Sequence, residues 1–307
     1  MNCSLAGALG DGASAKSLPV EGIKKLVNDY LMPLPSPKLP IDKGGVAAGR
    51  AVFNAHCAQC HGAGNDYTNT VVTRKVPETS LLVDGQAPSI ATDNNRLLMW
   101  NTVKLKNPLK PDNALHPATI YNKFYDWNRP SFVGTHGYVS VPLSGIWLRA
   151  PYLHNGSVPT LEDLLNPPMN EADLQEMMGI INLKIVATGR EPVDFQQLRD
   201  SFSRLPLGSE PLGNVAARLS QLTSLVDSTI AIARAKKRRP PMFYRGYDVL
   251  DPERTGFIHD SRAVAGRRFS VPYMTAVQGN SNQGHLWGTN ISSDEDKNAL
   301  IEYLRSL

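Results

Sequence analysis

The sequence predicts a mainly α fold with long irregular loops, little sheet and a helical insertion. Three observations support this prediction. Aliphatic and charged residues recur with helical period over 166–237, and again in the C-terminal segment. Glycine and proline are frequent, at 24 and 23 of 307 residues, which favours long ordered loops. Residues 62–145 are rich in turn formers and poor in periodic runs, which indicates irregular wrapping.

The first 42 residues are predicted to form a loop, a short helix and a linker. Residues 1–20 are small and glycine-rich, and 20–30 place aliphatic residues at helical spacing. Residues 31–42 contain four prolines and should be extended. We interpret 1–42 as a candidate remnant of an upstream domain. The opening residues lack the basic and apolar regions of a signal peptide, so we expect a mature or truncated chain.

Residues 43–165 and 238–307 are predicted to form one domain together. Its first helix should cover 44–58 and end in a cysteine motif, and a further helix is expected near 94–101. Thr160 is a suitable N-cap for another helix start.

Residues 166–237 differ in character and predict two or three amphipathic helices, which we interpret as an inserted subdomain. The basic run 236–239 closes the last of them. We expect this run on a solvated face, where it complements the helix dipole.

The C-terminal helix has both a start signal and an apolar stripe. Ser292 and Ser293, followed by Glu295 and Asp296, offer a capping box. The stripe that follows consists of Ala299, Leu300, Tyr303, Leu304 and Leu307. We expect this helix to cross the helix at 44–58.

Charge and hydropathy exclude several classes of protein. A net charge of +4 is too weak to argue for nucleic-acid binding. No apolar run approaches the roughly 18 residues that a membrane helix needs. The three cysteines, Cys3, Cys57 and Cys60, do not form a disulfide framework, and Cys3 is expected to be a small buried residue or a thiol.

The most informative motif is Cys-Ala-Gln-Cys-His at 57–61. Two thiols at this spacing can form thioethers with the two vinyl groups of one haem, which anchors the ring. His61 then supplies an imidazole nitrogen to the iron. The motif therefore predicts one covalent haem c, held by Cys57 and Cys60 with His61 as proximal ligand. Such attachment takes place outside the cytoplasm, so we expect a periplasmic or secreted protein.

Two other chemistries use similarly spaced cysteines. A redox-active CxxC does not need His61 and usually lies in a βαβ context, which the sequence does not suggest. A structural zinc site needs a second pair of ligands, and the sequence has no other cysteine pair.

The sixth iron ligand decides the function, because two strong axial ligands favour electron transfer while an open position permits peroxide or oxygen chemistry. The six other histidines and eight methionines are the candidates. His285 ends the loop-forming run 279–285 just before the last helix. Met274 is a soft-ligand alternative whose ordinary role is core packing, and His154 could approach a propionate or the distal face. His56 lies too close to the cysteine motif to reach the opposite side.

Several segments resemble the bacterial dihaem cytochrome c peroxidase superfamily, and most closely the C-terminal half of its rubber-oxygenase-like dihaem c-type cytochromes. The main segment reads LSGIWLRAPYLHNGSVPTL and covers 143–161. The other segments are RPPMFYRGYD at 239–248, GF at 256–257, GNSNQGH at 279–285 and the opening at 2–12. Together they cover most of the chain except roughly 165–237.

The resemblance implies a c-type cytochrome domain with His61 as proximal and His285 as distal ligand. It also implies a periplasmic or secreted location, and it places Arg149 and His154 near the haem propionates or an interhaem region. Candidate propionate partners, chosen because arginine offers bidentate carboxylate contacts, are Arg96, Arg149 and Arg245.

The sequence departs from that family in two ways. The family has two CxxCH motifs, and this sequence has one. The half it matches carries, in the rubber-oxygenase-like members, the bis-histidine haem that stores electrons. The segment 165–237 is also longer than the family leads us to expect. The family's catalytic activity is therefore not carried over.

The first functional hypothesis is electron transfer between this haem and a redox partner protein. The second is a peroxidase- or oxygenase-like oxidoreductase that works with a second haem domain or subunit. In that case His154 or Arg149 would polarise a bound peroxide. The third is a haem-based sensor or binding module.

Overall fold

The computed structural model describes part of the chain. The described residues are 22, 25–31, 33–34, 39–62, 73–75, 92–93, 95, 105–107, 110–115, 137–139, 143–189, 191–192, 194, 196–197, 199, 212–246, 248–262 and 271–307. Cys3, Arg96 and all of the predicted helix at 94–101 except position 95 lie outside them.

Six α-helices occur in the described part of the chain. They are α1 (Lys43–His56), α2 (Ala58–His61), α3 (Leu161–Leu164), α4 (Glu171–Ala187), α5 (Leu212–Ala235) and α6 (Asp294–Ser306). A π-helical turn covers Val27–Leu31, inside and just beyond the helix predicted at 20–30, and a 3-10 turn covers Ile146–Leu148.

The strands are short and pair two by two. They are β1 (Thr73–Lys75), β2 (Leu105–Asn107), β3 (Lys110–Leu115), β4 (Gly137–Val139), β5 (Met242–Arg245), β6 (Leu250–Asp251), β7 (Gly256–Phe257) and β8 (Val271–Met274). The antiparallel pairs are β1–β4, β2–β3, β5–β8 and β6–β7. The fold is therefore mainly helical with little sheet, as the sequence predicts.

The contacts divide the chain into two units. One consists of Met1–Lys38 and Asn101–Gly134 and contains the π-helical turn and the β2–β3 pair. The other consists of Leu39–Trp100 and Thr135–Leu307, and all the features described below belong to it.

Helix α1 leads directly into the cysteine motif. The Asp42 carboxylate caps it by accepting hydrogen bonds from the backbone N–H groups of Gly44 and Gly45. At Cys57 the backbone leaves the helical region, and the chain restarts as α2, which ends at Gly62 with φ 73°. The predicted helix at 44–58 is therefore confirmed, with a break at the first cysteine.

Helix α6 packs against α1, as the sequence predicts. Ser293 is its N-cap and accepts a hydrogen bond from the N–H of Asp296. The rings of Phe53 and Tyr303 meet across the crossing with centroids 5.1 Å apart. The Glu302 carboxylate also accepts a hydrogen bond from the Asp42 N–H, which ties α6 to the start of α1.

Helices α4 and α5 share a core with the β5–β8 pair. Met177 and Ile181 of α4 are buried against Met242 and Met274 of the two strands. Helix α4 begins with a capping box in which Asn170 is the N-cap. The described residues of α4 and α5 therefore share their core with strands from 242–274.

A second core contains buried residues of α1, α3 and α6 together with Leu143, Tyr152, Val158 and Ile291. Thr160 caps α3, as predicted, by accepting a hydrogen bond from the N–H of Asp163. Among the residues that the structure describes, no helix combines the length and apolar character needed to cross a membrane.

Candidate functional site

A cavity of about 470 Å³ lies beside the cysteine motif, in the second core. Most of its wall consists of aliphatic and aromatic side chains, which suits a large flat apolar ligand. The polar or titratable residues in the wall are His56, Cys57, Cys60, His61, Thr92, Arg149, Tyr152, His154 and His285.

The cysteine motif forms one face of the cavity. Cys57 is the N-cap of α2, and Cys60 and His61 lie on α2 itself. Burial raises the pKa of the Cys57 thiol to about 11, and the neighbouring Cys60 adds to the effect. A redox-active CxxC needs the opposite shift, towards an accessible thiolate. The environment therefore favours a protonated thiol in the polypeptide alone and argues against dithiol redox chemistry.

His285 faces the motif from the other side of the cavity. Its ring centroid lies 6.3 Å from that of His61, and the two ring planes are inclined by 48°. With a metal–nitrogen bond of about 2.0 Å and about 1.1 Å from that nitrogen to the ring centre, two imidazoles on opposite sides of one metal have centroids about 6.2 Å apart. The spacing of the two histidines therefore fits a single metal ion between them.

The electrostatic surroundings keep His285 neutral. Burial, together with the positive charges of Arg239 and His61, lowers its pKa to about 4. Its Nδ1 atom is buried and has no hydrogen-bond partner among the described residues. A neutral imidazole is the form that binds metals, so His285 is in a state suited to a ligand.

The side chains of Asn155 and Ser157 hold the loop that carries His285 in place through hydrogen bonds. The Asn155 side-chain amide donates hydrogen bonds to the backbone oxygens of Gly279 and Ser281, at 3.1 and 2.8 Å. The Ser157 hydroxyl donates to the same oxygen of Ser281 at 3.0 Å. These contacts give the Asn155 amide and the Ser157 hydroxyl a structural role in holding the loop.

Arg239 lies behind the same loop and is completely buried. It donates hydrogen bonds to five backbone carbonyl oxygens. Three of these oxygens belong to the loop, at Asn282, Gly284 and His285, and two belong to α3, at Asp163 and Leu164. The expectation that the basic run 236–239 is solvated is therefore wrong at its last residue, because Arg239 finds its partners inside the fold.

The structure places Arg149 and His154 on the cavity wall, with Cys57, Cys60, His61 and His285. His154 Nδ1 lies 3.4 Å from the hydroxyl oxygen of Thr92. His56, which the sequence analysis discarded as a distal ligand, also lines the cavity.

Two other sequence candidates lie elsewhere. Met274 is buried in the core that α4 and α5 share with the β5–β8 pair, where it lies opposite Met242. It is therefore not positioned to be the alternative sixth ligand. Arg245 is absent from the described residues that line the cavity. It binds Asp248 at 3.1 Å and lies over the ring of Tyr273. It is therefore not positioned to bind a haem propionate.

Sequence reasoning missed the support of the distal loop. Asn155 and Ser157 occur in the segment that resembles a known family, and Arg239 also ends the basic run 236–239, but none of them has a predicted role in supporting the loop. A side chain that binds backbone oxygens follows no spacing rule in the sequence. Trp287 was also missed, although its ring meets that of His285 edge-on with centroids 5.7 Å apart. Its position two residues after His285 was the available signal.

Comparisons with known proteins give a family match over a short part of the chain. Residues 137–172 match a family model described as RoxA-like, cytochrome c-like. This segment includes Arg149, His154, Asn155 and Ser157. A cytochrome c-like domain implies a covalently bound haem c.

One curated relative is an uncharacterized protein, y4iM, of Sinorhizobium fredii (strain NBRC 101917 / NGR234). It is 30% identical over 146 residues, which is 46% of this chain and 33% of the relative. The match therefore spans about a third of that protein's length. No solved structure gives a significant match.

Proposed function

We propose that this protein is a c-type cytochrome that carries one covalent haem and transfers single electrons. The observation that carries the proposal is the pair of imidazoles, His61 and His285, that face each other across an apolar cavity at a spacing suited to one metal ion. Two imidazole ligands favour electron transfer, because they leave no open coordination position for a substrate.

The residues around the cavity have distinct roles in this proposal. Cys57 and Cys60 would anchor a haem through thioethers, and the short helix α2 would present His61 as a ligand to its iron. The aliphatic wall, which includes Leu161 and Leu300, excludes water. A bound haem supplies reversible one-electron chemistry at its iron, with a potential set by the axial ligands and by burial.

The location and the partner follow from the same chemistry. Thioether attachment to CxxCH takes place outside the cytoplasm, so we place the protein in the periplasm or among secreted proteins. Electrons have to enter and leave through a second redox centre, so we expect a redox partner protein, a second haem domain or a haem-bearing subunit.

The first test is haem content after expression with a c-type maturation system. We expect intact mass to rise by one haem, and pyridine haemochrome analysis to show a c-type haem. Both signals should disappear in the Cys57→Ser, Cys60→Ser double variant. A wild-type protein that matures without covalent haem would refute the proposal.

The second test is the spin state of the ferric protein. Optical and EPR spectra should be low-spin in the wild type and high-spin in His285→Ala, because the variant lacks the second imidazole. His259→Ala is the matched control, since His259 is a buried imidazole that interacts with the Phe257 carbonyl and is not among the described residues of the cavity wall. It should remain low-spin.

An alternative function is a peroxidase- or oxygenase-like oxidoreductase that acts with a second haem domain or subunit. Arg149 and His154 support it, because both line the cavity and could act as a fixed charge and a general base. A high-spin wild-type protein that consumes peroxide, and that slows in His154→Ala, would favour this alternative.

A further inference from the structure

We infer that Arg239 is the positioning residue that fixes His285 as the sixth ligand, an inference that rests on the proposed function. Arg239 does not line the wall with the two axial candidates, and it acts through the backbone of the loop. This assigns a functional role to a buried guanidinium that belongs to neither the cysteine motif nor the pair of histidines.

The hydrogen bonds of Arg239 join the distal loop to the frame of the cavity. Its Nη1 group donates to the carbonyl oxygens of Asn282 and Gly284, and its Nη2 group to that of His285. The second Nη2 donor and Nε bind the oxygens of Leu164 and Asp163, both in α3. All five guanidinium N–H groups therefore bind backbone oxygens, and three of the five are in the four residues that end at His285.

The loop needs this support because its backbone is strained. His285 has φ 55°, in the left-handed region that residues with a side chain rarely adopt. Such conformations persist only where the surroundings over-determine them, and they concentrate at functional sites. The bonds from Arg239 to the carbonyl oxygens on both sides of the His285 N–Cα–C unit, those of Gly284 and His285, fix the orientation of that unit.

Arg239 also brings a positive charge close to His285. All of its hydrogen-bond acceptors are neutral carbonyl groups, and the Asp163 carboxylate offsets part of its charge through space without a hydrogen bond to it. A buried cation near the iron favours the reduced, less positive metal. Mutation can separate the support that Arg239 gives to the loop from the effect of its charge. Lysine retains the charge but cannot reproduce the five hydrogen bonds of the planar guanidinium.

The experiment compares the holoproteins of wild type, Arg239→Lys and Arg239→Gln. Both variants should keep covalent haem but show a high-spin fraction in ferric EPR, and cyanide should bind about tenfold or more tightly because the open state is more populated. The reduction potential should fall more in Arg239→Gln than in Arg239→Lys. A merely structural arginine would not separate the two variants in this way.

The matched control is Arg254→Gln. Arg254 is partly buried and binds Asp251 and Asp260 in the β6–β7 region, and it is not among the described residues of the cavity wall. This variant should lose stability and yet remain low-spin with unchanged cyanide affinity. Equal spectral changes in Arg254→Gln would overturn the inference.

A measurement on the wild type covers the case in which the Arg239 variants do not fold. In the reduced holoprotein, the Arg239 guanidinium N–H signals in NMR should exchange with deuterium far more slowly than those of exposed arginines. Exchange at the exposed rate would overturn the inference, as would unchanged low-spin spectra in folded Arg239 variants. A wild type without covalent haem would instead refute the proposed function. A haem-loaded wild type whose spectrum does not depend on His285 would refute both this inference and the proposed pair of imidazole ligands, whereas a spectrum that depends on His285 but not on Arg239 would refute this inference alone.

Discussion

Left-handed backbone at residues other than glycine is concentrated around the cavity. Four such residues occur in the described part of the chain, and two of them, Leu153 and His285, line the cavity wall. Each such conformation costs roughly 1–2 kcal/mol in an L-residue. This cost is consistent with a site whose side chains come from loops. Their orientation towards the cavity is set by these backbone conformations and not by a helix or a strand.

Gly284 allows the distal loop to approach its neighbour. A Cβ atom at this position would lie 2.4 Å from Thr92 Cα and 2.6 Å from Thr92 N, so alanine must displace one of the two backbones. We predict that Gly284→Ala destabilises the protein by about 1–3 kcal/mol and produces a high-spin fraction in the ferric spectrum. Urea unfolding and EPR would measure the two effects.

Gly179→Ala is the control for this change. Gly179 is an exposed residue of α4, and an added Cβ would meet nothing within 4 Å. This variant should be more stable by up to about 1 kcal/mol, through helix propensity, and spectrally unchanged. A low-spin Gly284→Ala protein of wild-type stability would contradict the contact with Thr92.

Asp260 links α5 to the β6–β7 region through two arginines. Its carboxylate accepts hydrogen bonds from Arg234 at 2.8 Å and from Arg254 at 3.0 Å. Burial by itself raises the pKa of Asp260, but the two arginines outweigh it and bring the pKa down to about 2. The charged carboxylate therefore stabilises the folded state.

The pH dependence of this contribution follows from the direction of the shift. Because the folded pKa lies below the ordinary value of 3.8, the stabilisation is complete above about pH 4 and is lost as the pH falls towards 2. We predict that Asp260→Asn lowers the free energy of unfolding by about 2 kcal/mol at pH 6, and that wild type and variant converge near pH 2. Denaturant titrations at both pH values would test this.

The control for Asp260 is Asp294, whose carboxylate pairs with Lys237 at the surface. Both side chains of that pair are 62% exposed, so solvent screens the attraction. Asp294→Asn should therefore change the free energy of unfolding much less. An equal loss in both variants would show that partial burial of Asp260 does not strengthen its ion pairs.

At the scale of elements, the crossing of α1 and α6 depends on Gly49. A Cβ at this position would lie 1.8 Å from the carbonyl oxygen of Ala299 and 2.9 Å from Tyr303 Cβ. We predict that Gly49→Ala forces the helices apart and costs about 3 kcal/mol or more. Thermal or denaturant unfolding of the holoprotein would measure the loss.

Gly44→Ala is the comparison within the same helix. Its added Cβ would lie 3.5 Å from a carboxylate oxygen of Asp42, which is ordinary contact. The variant should be neutral or slightly more stable. Equal losses in the two variants would show that helix propensity, and not the crossing, sets the effect of Gly49.

The parts of the fold that sequence predicts are those with local signals. The caps at Thr160 and Ser293 were predictable, because a cap and its acceptor lie three residues apart. The mainly helical class followed from periodicity. The β5–β8 pairing was not predictable, because its partners are separated by the chain between 245 and 271 and neither strand alternates cleanly.

The candidate site divides in the same way. The cysteine motif with His61 has a fixed spacing, so its chemistry was predictable from the residues alone. The residues alone made His285 one of several candidate sixth ligands, and the resemblance to a known family selected it among them. Arg239 could not be identified, since a buried arginine that binds only carbonyl groups has the same sequence appearance as a basic helix end.

At the scale of the whole molecule, the unit formed by Leu39–Trp100 and Thr135–Leu307 contains two buried clusters. One packs α4 and α5 on the β5–β8 pair, and the other surrounds the cavity between α1, α3 and α6. Met177 and Leu300 are completely buried members of the first and the second cluster, and Leu300 also lines the cavity. Stability and the haem environment should therefore be separable by mutation.

We predict that Met177→Ala and Leu300→Ala each cost about 2–5 kcal/mol of unfolding free energy, since each leaves a cavity in a packed core. Only Leu300→Ala should shift the absorption spectrum and the reduction potential, because only it changes the wall of the haem cavity. Denaturant unfolding of the two holoproteins would measure the losses of stability, and spectroelectrochemistry would measure the shifts in absorption and reduction potential. A potential shift of similar size in Met177→Ala would show that the two clusters are coupled.

His61 and His285 are 224 residues apart in the chain, so a metal bound by both would act as a reversible cross-link. Closing so long a loop removes conformational freedom from the unfolded chain, worth on the order of 5 kcal/mol in the ideal-chain limit. The two oxidation states of a metal bind imidazole with different strength. Each change of oxidation state would then strengthen or weaken that cross-link. The free energy of unfolding would therefore differ between the oxidised and the reduced protein.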